Sequence, residues 1–482
     1  MQRARLIILL IFWQGIVWSQ SLCFPEQDVM AHVYNSSEVS QASMRPIFNT
    51  QGLKTQILKP TISDRLWNTQ ALSISDSLQG FWMRADLDMN LQLGKSLTDT
   101  GIFYTNGRGL WVRCGIGKNV RFETIFSEYQ ARPDYAQAGY YAGGTVPGFG
   151  RWKTFGTQAY DFAASMGVLA IQVRPRMHIS LGQGKHHVGY GYRSMLWSDY
   201  MPGYPFARIQ LNSKHNVLKY EMLWAALSAF PQKATHRSTE ALFLKSAAAF
   251  QLLEWQPIKT FRFCFFQGIS SRASGFENKP RLNVSFANPV LFSNALAFGL
   301  SDTLNNVTLG AQGHWQASSN LSFYAQTQFD KSIDNAKASV FAYQAGMHFY
   351  YKSQQTLLHV QFEWNALSNK LHQNEVPRHY AMRWSTLQGP GQEMLCRFQW
   401  RYKRLLVTAH TAQSFTIQNA FTTDARSKSY LINTEWGCLL NPERRWILAA
   451  GFQNLTHLIA SNNAYLYVSL KSQLYNWYND IR

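Results

Sequence analysis

The sequence predicts an all-β protein: a transmembrane outer-membrane β-barrel of about 18 antiparallel strands with a short N-terminal periplasmic segment. Three observations carry that expectation. Residues 85–475 consist almost entirely of short stretches in which polar and apolar residues alternate, many with aromatics on the apolar side. The chain is only 46% hydrophobic and has no apolar 20-mer after its start, yet it holds 31 Phe, 23 Tyr and 16 Trp. A strand crossing a bilayer gives only every second residue to lipid, so a barrel never reads as uniformly apolar. The third observation is an export signal at the N-terminus.

Met1–Gln20 reads MQRARLIILLIFWQGIVWSQ, with Arg3 and Arg5 ahead of the apolar run Leu6–Trp13 and a short polar stretch after it. That is the layout of a secretory signal peptide, residues 1–20. The run is too short to cross a hydrocarbon core of ~30 Å as a helix. Gln20-Ser21-Leu22, ahead of Cys23, fits a lipid-attachment signal poorly. Residues 21–84 are less regular and are expected to form a periplasmic, plug-like segment, with a short helix within Ser63–Leu78. Residues 85–482 are expected to form the barrel.

Leu87, Met89, Leu91 and Leu93 alternate with Asp88, Asn90 and Gln92, a period of two. Asn106-Gly107 reads as a hairpin turn. Gly117-Lys118-Asn119 separates Leu110–Ile116 from Val120–Phe126, where Val120, Phe122, Thr124 and Phe126 alternate with Arg121 and Glu123. Downstream, Leu218, Tyr220, Met222 and Trp224 oppose Lys219 and Glu221, and Leu321, Phe323, Ala325 and Phe329 oppose Tyr324, Gln326 and Gln328. Leu358, Val360, Phe362 and Trp364 oppose His359, Gln361 and Glu363; Leu395, Phe398 and Trp400 are less regular; Tyr430, Ile432, Thr434 and Trp436 recover the pattern. Ala464–Tyr475 supplies a closing strand. Ser332–Ala336, Ser368–Asn374 and Ser461-Asn462-Asn463 read as turns. Strand-plus-turn units recur about every 20–28 residues, giving about 14–20 strands, an even number, centred on 18. A large soluble β protein would also alternate, but no blade-like repeat is present.

The formal charge is +19, or +17 once the two signal arginines are removed. Export and the scattering of basic residues through strands and turns argue against nucleic acid as a partner. A basic wall or mouth facing an acidic polysaccharide or lipid headgroups is the better reading. Cys23, Cys114, Cys264, Cys396 and Cys438 are far apart, with no spacing that suggests zinc or a redox pair. They read as small apolar residues in strands, and no disulfide is inferred.

The densest chemistry lies between Ala138 and Tyr220. Gly182, Gly184, Gly189 and Gly191 punctuate a region where a sheet interior resists glycine. They either permit close approach of a ligand or relieve crowding inside the barrel. Around them stand Lys185, His186, His187, Tyr190, Tyr192, Arg193 and Trp197, basic donors interleaved with aromatics, a set suited to uronate carboxylates and sugar-ring faces. These are the glycan-binding candidates.

The succession PGFGRW, YDFAASMGVLAIQ, GQGKHHVGYGYRSMLWSD and NVLKYEMLW resembles the Wzi family of capsule-assembly outer-membrane proteins, in its Bacteroidetes form. The resemblance is sharpest at 140–225 and textural over the rest of 80–475. It implies a large single-chain barrel with a short periplasmic helical part that binds exported capsular polysaccharide and helps retain it. It assigns no individual sugar-binding residue.

Catalytic patterns are weak. There is no G-x-S-x-G elbow and no paired-carboxylate site, and Ser194 and Asp199 near His187 are not a triad without geometry. The glycines at 182–191 lack the GK[ST] of a phosphate loop. Adjacent His186 and His187 would point to opposite faces of a strand, which disfavours a metal. The chain is therefore expected to be non-enzymatic, without cofactor or metal. Three roles compete: retention of an acidic surface polysaccharide, an accessory subunit of a secretion or gliding-motility complex with protein partners in the envelope, and a solute porin.

Overall fold

The computed structural model describes residues 45–46, 61–76, 78, 80–97, 101–133, 145–146, 148–156, 158–229, 244–271, 284–298, 305–331, 339–368, 391–420, 423–457, 463–472 and 474. The export signal, the turn Ser332–Ala336, most of Ser368–Asn374 and the C-terminal residues from 475 lie outside them.

Eighteen antiparallel strands close into a barrel. They are β1 (Phe81–Ser96), β2 (Ile102–Ile116), β3 (Val120–Arg132), β4 (Ala159–Arg174), β5 (Met177–Gly184) and β6 (Tyr204–Asn212). Next come β7 (Leu218–Ala229), β8 (Leu244–Ile258), β9 (Phe261–Ser271), β10 (Asn305–Gln316), β11 (Leu321–Lys331) and β12 (Ser339–Lys352). The last six are β13 (Thr356–Leu367), β14 (Gly391–Tyr402), β15 (Leu405–Ala420), β16 (Thr423–Asn441), β17 (Trp446–His457) and β18 (Asn463–Ser472). Each strand pairs with the next, and β18 returns to β1 in the register Tyr465↔Ser96 through Lys471↔Asn90. Closure leaves no sheet edge to lipid, which a membrane wall requires.

The alternation acts as expected. Along β13, Leu357, His359, Gln361, Glu363, Asn365 and Leu367 are buried inward while Phe362 is 47% exposed on the outside. Leu87, Leu93, Leu110, Phe126, Trp436 and Val468 share that apolar outer band. Aromatic belts mark its two rims. Trp255, Phe261, Phe263, Trp315 and Phe323 stack along one end, and Phe329, Phe341 and Tyr343 along the other. An even-stranded barrel with an apolar band between aromatic belts is an outer-membrane barrel.

Two sequence expectations need correction. Asn106-Gly107 is not a turn but sits inside β2, where a Cβ on Gly107 would fall 2.4 Å from the Tyr129 ring. Glycine there makes room for an inward tyrosine. The irregular stretch at Leu395 arises because Leu395 faces the lumen, in a cross-strand row with Ala412, Leu431 and Leu455. Polar-in alternation fails where part of the lumen is apolar.

The connections 117–119, 175–176, 213–217, 259–260, 317–320, 353–355, 403–404 and 442–445 are short and share one end. The connections 133–158, 185–203, 230–243, 272–304 and 368–390 are long and share the other. Short turns mark the periplasmic end and long loops the extracellular end. The long connection 272–304 is described over 284–298, where it lies on the outside of β7–β9. Trp224 Nε1 donates to Phe286 O at 2.8 Å and Gln251 Nε2 to Asn288 O at 2.5 Å. It covers Gln251 and Gln267, two outward amides that lipid would not satisfy.

At the periplasmic end, the helix α1 (Ile62–Trp67) begins with a capping box in which Thr61 and Asp64 satisfy each other's backbone N–H. It is followed by a short strand, Leu72–Asp76, which pairs with β1 at Phe81–Ala85 and takes over where β18 ends. Side chains from the turns and strand ends of β14–β17 hold this segment. Asn441 Nδ2 donates to Leu66 O and Thr69 O at 2.9 Å each, and Arg404 Nη2 to Asn68 Oδ1 at 2.7 Å. Arg444 Nε donates to Thr69 O at 3.1 Å, and Ala71 N–H to Asp86 Oδ1 at 2.8 Å.

Candidate functional site

The connection 185–203 begins at the extracellular end but folds into the lumen instead of away from it. Trp197, Arg193, Tyr200 and Met195 rank among the largest fully buried side chains of the described residues. Val188 and Trp197 form an antiparallel bridge, with Val188 N–H donating to Trp197 O at 2.8 Å. Residues 189–196 between them make a finger. Ser194 Oγ donates to Val188 O at 2.5 Å and accepts from Leu196 N–H and Trp197 N–H at 3.2 and 3.0 Å. Its hydroxyl closes the finger's turn, the local bonding that serine offers a non-regular backbone. At the base, Trp197 Nε1 donates to the Tyr204 hydroxyl at 2.6 Å, which lies 2.9 Å from His186 Nδ1. The Trp197 ring packs on Phe250 of β8, centroids 3.9 Å apart.

The finger reaches across to β10–β14: β11, β12 and β13 send polar side chains to its backbone, and β10 and β14 meet its side chains. Gln326 Oε1 accepts Met195 N–H at 2.6 Å, and its amide donates to Val188 O at 3.2 Å and to Gln312 Oε1 at 2.9 Å. Gln344 Nε2 donates to Arg193 O at 3.0 Å. His348 Nε2 lies 3.0 Å from Tyr190 O, so that nitrogen carries the proton. Glu363 accepts Tyr192 N–H at 2.7 Å, Arg193 N–H at 3.1 Å, the Tyr324 hydroxyl at 2.6 Å and Asn365 Nδ2 at 2.8 Å. Arg193 forms a bidentate pair with Glu393, Nε to Oε2 at 2.9 Å and Nη2 to Oε1 at 2.8 Å. Both ends of that pair are buried, and its two parallel bonds fix direction as well as distance. Tyr190 stacks on His314 at 4.1 Å, and Tyr192 lies under the Arg397 guanidinium at 4.1 Å.

The glycines are explained by this packing. Gly189 has φ +137, a conformation side chains rarely adopt. A Cβ on Gly191 would fall 2.5 Å from Gln344 Oε1 and 2.6 Å from Glu363 Oε2. The close approach is therefore between the finger backbone and the lumen wall. Gly182 and Gly184 lie in β5 itself.

Lys185, His186, His187, Tyr190, Tyr192, Arg193 and Trp197 are thus brought together in one element. Six of them are buried and Tyr190 is half-buried, and the polar contacts described above are to protein groups. His187 Nδ1 lies 3.3 Å from Asp199 Oδ1, whereas Ser194 is engaged with the finger backbone. The wall residues Gln312, Gln326, Gln344, His348 and Glu393 were not singled out by sequence. Their inward parity on each strand is legible, but only the strand register aligns them with one another.

Lys185, outside the spanning strands, lies 5.7 Å from the centre of the Phe149 ring. Burial pushes its ammonium down from 10.5 to about 8, partly offset by Asp199. Between about 8 and 10.5 the released chain binds more protons than the buried one, so the seated finger gains stability as pH rises through that window. Below about 8 the burial penalty is fully present. Amide exchange in residues 186–197 is expected to slow from pH 8 to 10, after correction for intrinsic rates. Lys185→Met should abolish that change; an unaltered dependence in the variant would assign it elsewhere.

No family model matches the chain, and no curated protein matches it. Among solved structures, it is similar to Wzi of Escherichia coli, described as an outer-membrane protein involved in group 1 capsule assembly and a carbohydrate-binding β-barrel. The TM-score is 0.49 at 10% identity, over 80% of this chain and 84% of that one. It is also similar to OpdO of Pseudomonas aeruginosa, with TM-score 0.47, 9% identity and coverage of 81% and 96%. For OccAB3 of Acinetobacter baumannii the TM-score is 0.42 at 11% identity, with coverage of 80% and 98%.

Proposed function

We propose that this protein is a plugged, non-catalytic outer-membrane barrel that retains acidic surface polysaccharide at its extracellular rim. The observation that carries the reading is the finger: Trp197, Arg193, Tyr200 and Met195 are fully buried within the lumen, where a solute channel needs water. With the lumen occupied, the extracellular rim is the surface left for work. The formal charge of +19 suits an acidic polymer held by many weak contacts. In this reading Lys185, His186, His187, Tyr190, Tyr192, Arg193 and Trp197 serve the plug, and the glycan meets the loops around it. A strain lacking the protein is expected to make its polysaccharide but shed it into the medium. Normal cell-associated polysaccharide in that strain would overturn the proposal. Open-channel current from the purified protein in planar bilayers would favour the porin reading instead.

A further inference from the structure

The wall below the finger carries a charge pattern that the plug does not use. At the periplasmic end of β9–β14, residues 255–262, 314–324, 346–361 and 395–406 contain no Asp or Glu. Four cations of these stretches stand on lumen-facing positions, Arg262, Lys352, Arg397 and Arg401, and three more lie in the turns at 259 and 403–404. The inward carboxylates higher on β13 and β14, Glu363 and Glu393, are engaged by the finger. Elsewhere around the lumen cations meet carboxylates: Arg113 with Asp86 at 3.1 Å, Arg208 with Glu221 at 2.9 Å and Lys471 with Glu435 at 2.6 Å. Arg262 Nη1, by contrast, is buried without a hydrogen-bond partner among the described residues. A buried guanidinium nitrogen of that kind calls for an acceptor.

The same sector carries a band of rings. Tyr190 stacks on His314 at 4.1 Å, Tyr324 on His348 at 4.9 Å, and Tyr350 on His359 at 4.5 Å with planes 4° apart. Cations stand at both ends of the band. His314 faces Arg262 across the β9–β10 pair, and Arg397 and Arg401 lie on β14 beyond His359. Tyr190, Tyr350, Arg262, Arg397 and Arg401 are half-buried and Lys352 is exposed, so the band opens toward the periplasmic end. From β9 to β14 is five strand spacings, about 24 Å along the wall. A single small anion does not reach both ends; an extended chain does.

We propose that this sector is a periplasm-facing binding site for an acidic oligosaccharide segment. Its carboxylates meet the guanidinium forks of Arg262 at one end and Arg397 and Arg401 at the other, and its ring faces lie on the band from Tyr190 to Tyr350. The alternation of flat rings and cations matches a uronate chain, which alternates pyranose faces with carboxylates. The proposal rests on the polysaccharide reading above for the class of polymer, and adds a second contact on the opposite side of the plug. The finger separates the two, so the protein holds acidic saccharide on both sides of a filled lumen.

The site is tested by calorimetric titration of the detergent-purified, full-length protein with tetragalacturonate at low salt. Maltotetraose is the neutral control, tetraglutamate the acidic-peptide control and inorganic phosphate the small-anion control. Tetragalacturonate is expected to bind and the three controls to bind at least about tenfold more weakly, the factor set by one charge-assisted contact. Arg262→Ala and Tyr350→Leu should each weaken tetragalacturonate about tenfold, Tyr350→Phe should retain it, and Lys153→Ala at the extracellular rim should change nothing. Heat-modifiable gel mobility reports that each variant barrel is folded. Equal binding of phosphate would reduce the sector to an adventitious ion only, and equal binding of tetraglutamate would make it a peptide site; either overturns the proposal. So would tetragalacturonate binding that survives in folded Arg262→Ala and Tyr350→Leu, or that Lys153→Ala removes. Retention at the rim is judged separately, by shedding from cells.

Discussion

Glu363→Ala is expected to release the finger from the far wall. The Glu363 carboxylate accepts two consecutive finger amides, Tyr192 N–H and Arg193 N–H, and is itself held by Tyr324, Gln361 and Asn365. Alanine leaves both amides without their acceptor in a site from which water is excluded. Each unsatisfied buried donor costs about 1–3 kcal/mol, so the pair together is worth about 2–6 kcal/mol to the seated finger. Amide exchange at Tyr192 and Arg193 should accelerate by two orders of magnitude or more, roughly the factor that ~3 kcal/mol gives. Glu363→Gln preserves shape but turns one acceptor oxygen into a donor, and should lie between the two. Unchanged protection of both amides in Glu363→Ala would show that the finger is held from its base alone. Because the variant touches the lumen and not the lipid band, its barrel should still show heat-modifiable mobility.

The wall was largely legible in the sequence and the site was not, for one physical reason. A strand's facing depends on a local period of two, so Leu87 and Phe362 declare themselves outward and Asp88 and Glu363 inward without knowledge of any neighbour. The expectation of 18 strands rested on the same local pattern, and the closed barrel agrees with it. The finger's contacts depend instead on register between strands far apart in sequence. Arg193 meets Glu393, and Met195 meets Gln326, only because β11 and β14 stand at particular heights around the circle. The glycines at 189 and 191 lie close against Gln326, Gln344 and Glu363 of the wall, and nothing local in the sequence says whether such glycines make room for a ligand or for the opposite wall. The bases and aromatics beside them carried the same ambiguity: a guanidinium under a carboxylate fork suits a uronate as well as it suits Glu393.

That ambiguity makes the Arg193–Glu393 pair the second test. Each partner alone is a buried charge, and removing one leaves the other without compensation, a loss of about 3–5 kcal/mol. Arg193→Ala or Glu393→Ala is therefore expected to unseat the finger tip and admit ions in planar bilayers. The double variant Arg193→Met with Glu393→Leu removes both charges and refills their volume. Buried pairs replaced in this way are often neutral or better, so the double variant should be as silent as the parent. A ligand-binding arginine behaves otherwise. If Arg193 served a uronate directly, the double variant would lose polysaccharide retention while keeping a closed lumen, and Glu393→Ala would free the guanidinium and strengthen retention. A structural pair predicts the reverse order: conductance follows the single variants, and retention survives in the double. The two readouts, current through the barrel and polysaccharide left on the cell, separate a latch from a lectin site at the same residue.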